Sequence, residues 1–346
     1  MNGQVMRRAA ALPSRLCALG LLAGLTATGA AAQESCSATV SLLHEACIDQ
    51  TEADHGVARA NCLNLRSASS RQDCRDDAVK ADGKARAECV AQRDWRQASC
   101  AAIGEQRYDP KIDPKRFDTD FHHLSHPNPY FPLGIGKRWE FRGGDELNTV
   151  EVTDETKLIE GVTCIVLRDL VYLKGRLHEA TDDWFAAAKD GTSWYFGEEV
   201  KNYENFKGDM PRRPELTSVS GSFKHGRDGD KGGIILPATP TVGQIYREEF
   251  SLANAEDLAE VLSTSYAYGA GGELDEFVPA ALVQRMCAAG DCVVTKNYSL
   301  LEPGVLTRKY YALDLGFFLE TIVGVGIDVQ LTNCNFDPRC VGLPRP

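Results

Sequence analysis

Cys62-Leu-Asn-Leu-Arg-Ser-Ala-Ser-Ser-Arg-Gln-Asp-Cys74 is the centre of a cysteine pattern that reads the same in both directions. Moving outward, the next pair is Cys47 and Cys89, then Cys36 and Cys100, and every pair is centred on residue 68. A chain that folds back once at the polar stretch Ser67-Ala68-Ser69-Ser70 sets the three pairs opposite one another. Good helix formers fill both sides, and no proline occurs between Ser35 and Tyr108, so two helices are expected. The steps between cysteines approximate whole numbers of turns at about 3.6 residues per turn, which keeps the three cysteines of each helix on one stripe. The spacing therefore predicts the disulfides Cys36–Cys100, Cys47–Cys89 and Cys62–Cys74. This arm, residues 33–107, has few large apolar side chains, so cross-links stand in for a buried core. A thiolate metal cluster would want C-x-x-C pairs, which are absent. The arm is read as a rigid cap on the β-rich domain beyond it, or as a docking arm.

Upstream, Arg7, Arg8 and Arg15 precede an uncharged run from Leu16 to Ala32, and Ala30-Ala31-Ala32 offers a cleavage site. That is the pattern of a signal peptide over residues 1–32. The run is shorter than the ~20 apolar residues that span a bilayer, and no later run reaches that length, so no transmembrane anchor is expected. The expected location is the periplasm or the outside of the cell. There the cysteines beyond Cys17 favour disulfides over thiolate sites. Asp and Glu total 49 against 38 Lys and Arg, a net charge of -11, which repels phosphate backbones and anionic headgroups and argues against nucleic acid as a partner.

Residues 108–130 form a Pro- and His-rich linker, expected to lie extended over a surface. From 131 to 330 short alternating or β-branched runs are broken by Gly, Asp-Gly and Pro, and residues 331–346 read as a C-terminal tail. The fold class is α+β: a disulfide-laddered antiparallel helical hairpin, then an antiparallel β-rich domain built as a curved sheet, half-barrel or barrel. The run Val162–Leu173 is apolar on both faces and must be covered on both sides. A closed or strongly curved sheet does this, and its lumen is the natural ligand site. Thr217–Lys224 and Glu273–Gln284 are among the expected strands. Cys287 pairs with Cys292 and Cys334 with Cys340 around short loops, and Cys164 is left as a small core residue.

The β domain resembles a family of uncharacterised exported bacterial proteins. The matching stretches are Asn128-Pro-Tyr-Phe-Pro-Leu133 before Trp139, Glu160-Gly-Val162, Asp183-Trp-Phe-Ala, Lys189-Asp-Gly, Trp194-Tyr-Phe-Gly-Glu198, Glu302-Pro-Gly304 and Lys309-Tyr-Tyr-Ala312. That family usually has Gln-Asp where this chain has Ala187-Ala188, and the cysteine hairpin lies outside the resemblance. No catalytic residue carries over from it. More loosely, a Gly-x-x-Trp strand followed by hairpins looks like periplasmic half-barrel carriers of lipids and lipoproteins, a likeness of fold and not of function.

Three groups of residues are candidates for chemistry. Trp184, Trp194, Tyr195 and Phe196 form the aromatic centre of the β domain; by strand alternation Trp194 and Phe196 share one face and Tyr195 takes the other, and either face suits an apolar pocket or core packing. His122, His123 and His126 are candidate copper or zinc ligands with Asp118 or Asp120 beside them, against the simpler reading of a polar linker. Asp182, Asp183, Glu198 and Glu199 would serve a hydrolase only as a pair across one cleft. No nucleotide, EF-hand, zincin or nucleophile-elbow motif occurs, and no cofactor is implied apart from copper or zinc. The leading expectation is an exported, non-enzymatic binding or carrier protein for an apolar or amphipathic small molecule, or for an envelope protein.

Overall fold

The computed structural model describes residues 35–344; the signal-peptide stretch lies outside the described residues. Helices α1 (Ser35–Leu63) and α2 (Ala68–Ile103) run antiparallel, joined at the expected fold-back. The hydroxyl of Ser67 caps α2 by accepting the backbone N–H of Ser70 at 2.9 Å, satisfying one of the donors that a helix start leaves open. All three rungs form as the spacing predicts, with Cα–Cα distances of 5.6–5.7 Å. Along α1 only Val40, Thr51 and Cys62 are buried. The hairpin is thus held by its disulfides and not by an apolar seam.

The rest of the chain is one antiparallel sheet, nearly closed and barrel-shaped. Strands β1 (Arg138–Gly143), β2 (Glu146–Ile159), β3 (Val162–Leu173), β4 (Arg176–Ala187) and β5 (Ser193–Glu204) form a meander. Two short strands, β6 (Glu215–Ser218) and β7 (Phe223–Lys224), pair with β5, as does β8 (Lys231–Leu236). The second half comprises β9 (Ile245–Arg247), β10 (Glu249–Phe250), β11 (Asp257–Tyr266), helix α3 (Ala280–Met286), β12 (Cys292–Ser299), β13 (Thr307–Ala312), β14 (Gly316–Ile322) and β15 (Gly326–Cys334). β15 returns to pair with β1, joining the halves on one side. On the other side a single short stretch, 245–250, divides itself between two neighbours: β9 pairs with β11, and β10 with β8.

That seam depends on glycine. A Cβ at Gly233 would lie 2.2 Å from the Glu248 carbonyl oxygen and 2.5 Å from that of Arg247, distances no side chain can tolerate without moving the backbone. Gly233→Ala is expected to push β8 off the closing strand and cost about 1–3 kcal/mol, the usual range for overpacking. Denaturant midpoints of the two proteins, with unchanged slopes, would measure it.

From Val162 to Leu167 this strand is covered on both faces, as its composition requires, whereas its far end is partly open, with Leu173 41% exposed. The inner face looks into the barrel. The outer face lies under the Pro/His-rich linker, where Phe117 is buried against Val162, Cys164, Val166, Trp184 and Phe196. Backbone bonds fix this strap: the Asp118 N–H donates to the Ala187 carbonyl at 2.9 Å, and that of Lys189 to Arg116 at 2.8 Å. Cys164 sits in this cluster as a buried free thiol, which burial pushes up. The two remaining disulfides also form as expected, Cys287–Cys292 and Cys334–Cys340.

Three elements differ from the sequence reading. Glu273–Gln284 is not a strand: it holds a 3-10 turn (Gly272–Asp275) and then α3, which begins after Pro279 and buries Leu282, Val283 and Met286. Proline supports a helix start, and that spacing places the three side chains on one helical face. Thr217–Lys224 is broken into β6 and β7 by a turn that reaches a positive φ at Gly221. The last strand runs on to Cys334, into the stretch read as a tail.

Helix α2 docks the hairpin on the barrel wall. Arg96 grips the Glu256 carboxylate with two hydrogen bonds, at 3.1 and 2.8 Å, and only 4% and 2% of these side chains remain exposed. Beside them the Trp95 indole donates to the Ser299 carbonyl at 3.1 Å and the Gln92 amide to that of Leu301 at 2.9 Å. From Trp95 to the start of α2 the helix continues for about 40 Å at roughly 1.5 Å per residue. Most of the hairpin therefore projects from the barrel.

Candidate functional site

Alternation along the strands decides what faces the lumen. Toward one end of the barrel, β2 turns Val152, Val150, Asn148 and Glu146 inward, β3 turns Ile165, Leu167 and Asp169, and β4 turns Ala187, Phe185 and Asp183. Across the barrel, β13 adds Tyr311 and then Lys309, and β14 adds Phe317 and Glu320. The interior thus has an apolar storey below and a charged storey above.

Between them lies a cavity of about 370 Å³. Its apolar end is closed by the Asn128–Leu133 segment, which lays Phe131, Pro132 and Leu133 across the lumen. Asn128 anchors that segment: its buried side-chain amide donates to the carbonyls of Gly191, Leu236 and Pro237 at 3.0–3.2 Å. Phe131 packs edge-on against Phe185 at 4.9 Å. Asp328, exposed, marks the opposite end of the lining.

The charged storey is acidic. Five carboxylates line the cavity (Glu146, Asp169, Asp183, Glu320 and Asp328) against one cation, Lys309. Glu198, across from Asp183, and Glu248 and Glu249 on the closing stretch extend the acidic band beyond the cavity lining. Burial pushes Asp169 up to about 8, with the charge of Asp183 adding to it. Burial likewise brings Asp183 up to about 7, although the Tyr195 hydroxyl donates to it and works the other way. Glu198, directly across from Asp183 in the β4–β5 register, is raised by burial and by Asp183. Glu248 reaches about 7, again chiefly through burial. Burial pulls the Lys309 ammonium down, but Glu320 and Glu248 more than reverse this and leave it well above the usual lysine range.

Several acceptors in this band have no donor. Asn148 Oδ1, Asp169 Oδ1 and Glu248 Oε1 are buried and unpartnered, and the one contact joining Asn148 to Asp169 is a long amide bond of 3.4 Å to the other carboxylate oxygen. Buried acceptors are ordinarily paired, so such a group marks strain, an absent partner or a functional role.

The residues expected from sequence are divided by the sheet. Tyr195 faces inward, stacked on Phe185 at 4.6 Å. Trp184, Trp194 and Phe196 point outward under the strap, where Phe117 meets Trp194 and Phe196 edge-on at 6.2 and 5.6 Å. Lys157 Nζ lies 3.5 Å from the centroid of the Trp184 ring. The cavity is on the other side of the sheet from these three residues. Asp183 and Glu198 face the lumen together, whereas Asp182 pairs outside with Arg168 and Glu199 with Lys201.

The convergence that the alternative metal reading requires of His122, His123 and His126 is not seen among the described residues. His123 Nδ1 is bonded to Asp120 at 2.9 Å and His126 Nδ1 to the Lys189 carbonyl at 2.7 Å. Asp118, a proposed co-ligand, is used by Ser125. Turn and strap bonds thus hold one ring nitrogen each of His123 and His126, and among the described residues no three His, Cys, Asp or Glu side chains are arranged to hold a metal.

Sequence reasoning misses Asp169, Lys309, Glu248, Glu249 and Glu320. The available signal is register: Asp169 comes after Ile165 and Leu167 at period two, so it occupies an inward position on a strand apolar on both faces. Comparison with models of protein families, with curated proteins and with solved structures returns no match. Among the described residues no helix is long and apolar enough to cross a membrane.

Proposed function

We propose that this chain is an exported, non-enzymatic binding protein that carries an apolar or amphipathic ligand inside its barrel, in the periplasm or outside the cell. The observation that carries the reading is the cavity of about 370 Å³ between the Asn128–Leu133 segment and the strands, walled by Trp139, Phe141, Phe185 and Phe317. Ligand sites are concave, mostly apolar and about 300–1,000 Å³ in size, with a few placed polar groups. The disulfides support the oxidising location.

The neutral dye N-phenyl-1-naphthylamine, whose emission rises in apolar surroundings, provides the test. The protein is expected to bind it and to lose it when Val150→Trp fills the lumen, with the melting temperature keeping account of the fold. Binding that survives in the folded variant, or no binding by the parent, would refute the lumen as the carrier site.

A further inference from the structure

The upper storey has buried acceptors to which the described residues bring no donor. Lys309 stands directly across from Glu320 in the β13–β14 register, and Glu320 and Glu248 are the carboxylates that act on it most strongly. Asp169, Asp183 and Glu146 have no basic side chain of their own in the cavity lining. Asp169 has only the distant Asn148 amide and Asp183 only the Tyr195 hydroxyl. Two buried oxygens, Asp169 Oδ1 and Asn148 Oδ1, belong to cavity-lining side chains and have no donor. Directly below them the same strands offer Val150, Leu167 and Phe185, a surface without polar side-chain atoms.

We infer that the ligand is a cationic amphiphile: an amine or ammonium head seated against Asp169, Asn148 and Asp183, and a hydrocarbon body held against Val150, Leu167 and Phe185. The inference rests on the carrier reading and names its ligand class. A protonated amine brings the N–H donors these oxygens lack and, once seated, lets Asp169 and Asp183 give up the protons they otherwise hold and pair with it as carboxylates; charge-assisted bonds of this kind are the strong ones. An anionic amphiphile of the same shape would bring a further acceptor and no N–H donor to a wall of five carboxyl groups and one lysine, and its charge would oppose the ionisation of every one of those acids. A bare metal ion would leave the apolar storey without an occupant. Among the described residues no three ligating side chains are arranged to hold one.

Calorimetric titration of the full chain with decylammonium and, separately, with decanoate tests the inference, because the two share a tail and differ in the sign of the head. Decylammonium is expected to bind at least about tenfold more tightly, tenfold corresponding to about 1.4 kcal/mol. Asp169→Asn should weaken it by about tenfold and weaken the neutral dye by a much smaller factor; Asp183→Asn repeats the measurement on the neighbouring strand. Decanoate binding as well as decylammonium, no binding of either amphiphile, or indifference of decylammonium to both substitutions would overturn the cationic head. In each case continued dye binding in the lumen would leave the carrier reading standing, whereas loss of the dye as well would remove both.

Discussion

Arg96→Met is expected to destabilise the junction between hairpin and barrel by about 3–5 kcal/mol, the usual cost of removing one partner from a buried ion pair. The reason is what stays behind. Glu256 is 2% exposed, and without the guanidinium its one remaining hydrogen bond is from the Ala253 N–H, at 2.7 Å, with the charge of Arg247 the nearest substitute. Removing the charge as well, in Arg96→Met with Glu256→Gln, should recover part of the loss, because the uncompensated buried charge is the larger penalty. The emission of Trp95, which sits in the same contact, reports undocking separately from barrel unfolding. A single substitution that costs less than the double one would mean that the pair is not what secures the arm.

Raising the pH from 5 to 8 should lower the stability of the barrel by a few kcal/mol, opposite to the behaviour of proteins dominated by salt-bridged carboxylates. Asp169, raised to about 8, and Asp183 and Glu248, raised to about 7, hold protons in the folded chain that the unfolded chain releases near pH 4. Their stabilisation is full below about pH 4 and is lost as pH climbs through 7 and 8, a carboxyl raised by one pH unit contributing about 1.4 kcal/mol. Ion-paired carboxylates such as Asp337, held below the usual range by Arg339, oppose this only at lower pH. Asp169→Asn should flatten the profile and raise the melting temperature at pH 8 above that of the parent. A parent melting temperature that rises between pH 5 and 8 would contradict the assignment of these protons.

The legible part of this molecule is the part held by covalent chemistry. Cysteines leave residue-type marks at helical spacing, so the ladder and its centre at Ala68 can be read with few assumptions, and the structure has all three rungs. The two-faced run at Val162–Leu173 likewise requires a sheet covered on both sides. Weaker signals fail where two periods compete over few residues. Phe277-Val-Pro279 followed by Ala-Ala-Leu-Val283 reads as a broken strand, yet the spacing of Leu282, Val283 and Met286 favours one helical turn. Strand β8 escapes a sequence reading because Gly232-Gly233 lowers its strand propensity, although those glycines are what allow the seam to close.

The candidate site is hidden for a different reason. Alternation tells which residues share a face but not which face of a barrel holds solvent and which holds a cavity. The acids Asp169 and Asp183, polar enough to suggest an outer surface, face inward, while Trp184 and Trp194, which resemble a pocket wall in sequence, are covered by the 108–126 strap.

The ladder also makes the length of the projecting arm conditional on redox state. With its thiols reduced, the hairpin keeps two helix-prone segments and almost nothing apolar to hold them together, since Val40 and Ala78 are its only buried aliphatic side chains. Isolated helices are marginal in water, so the reduced arm behaves as a pliable tether. Oxidation turns the same residues into a strut about 40 Å long at roughly 1.5 Å of rise per residue. A chain that has not met an oxidising compartment has no reach, and one that has meets its surroundings at a fixed distance from the barrel wall.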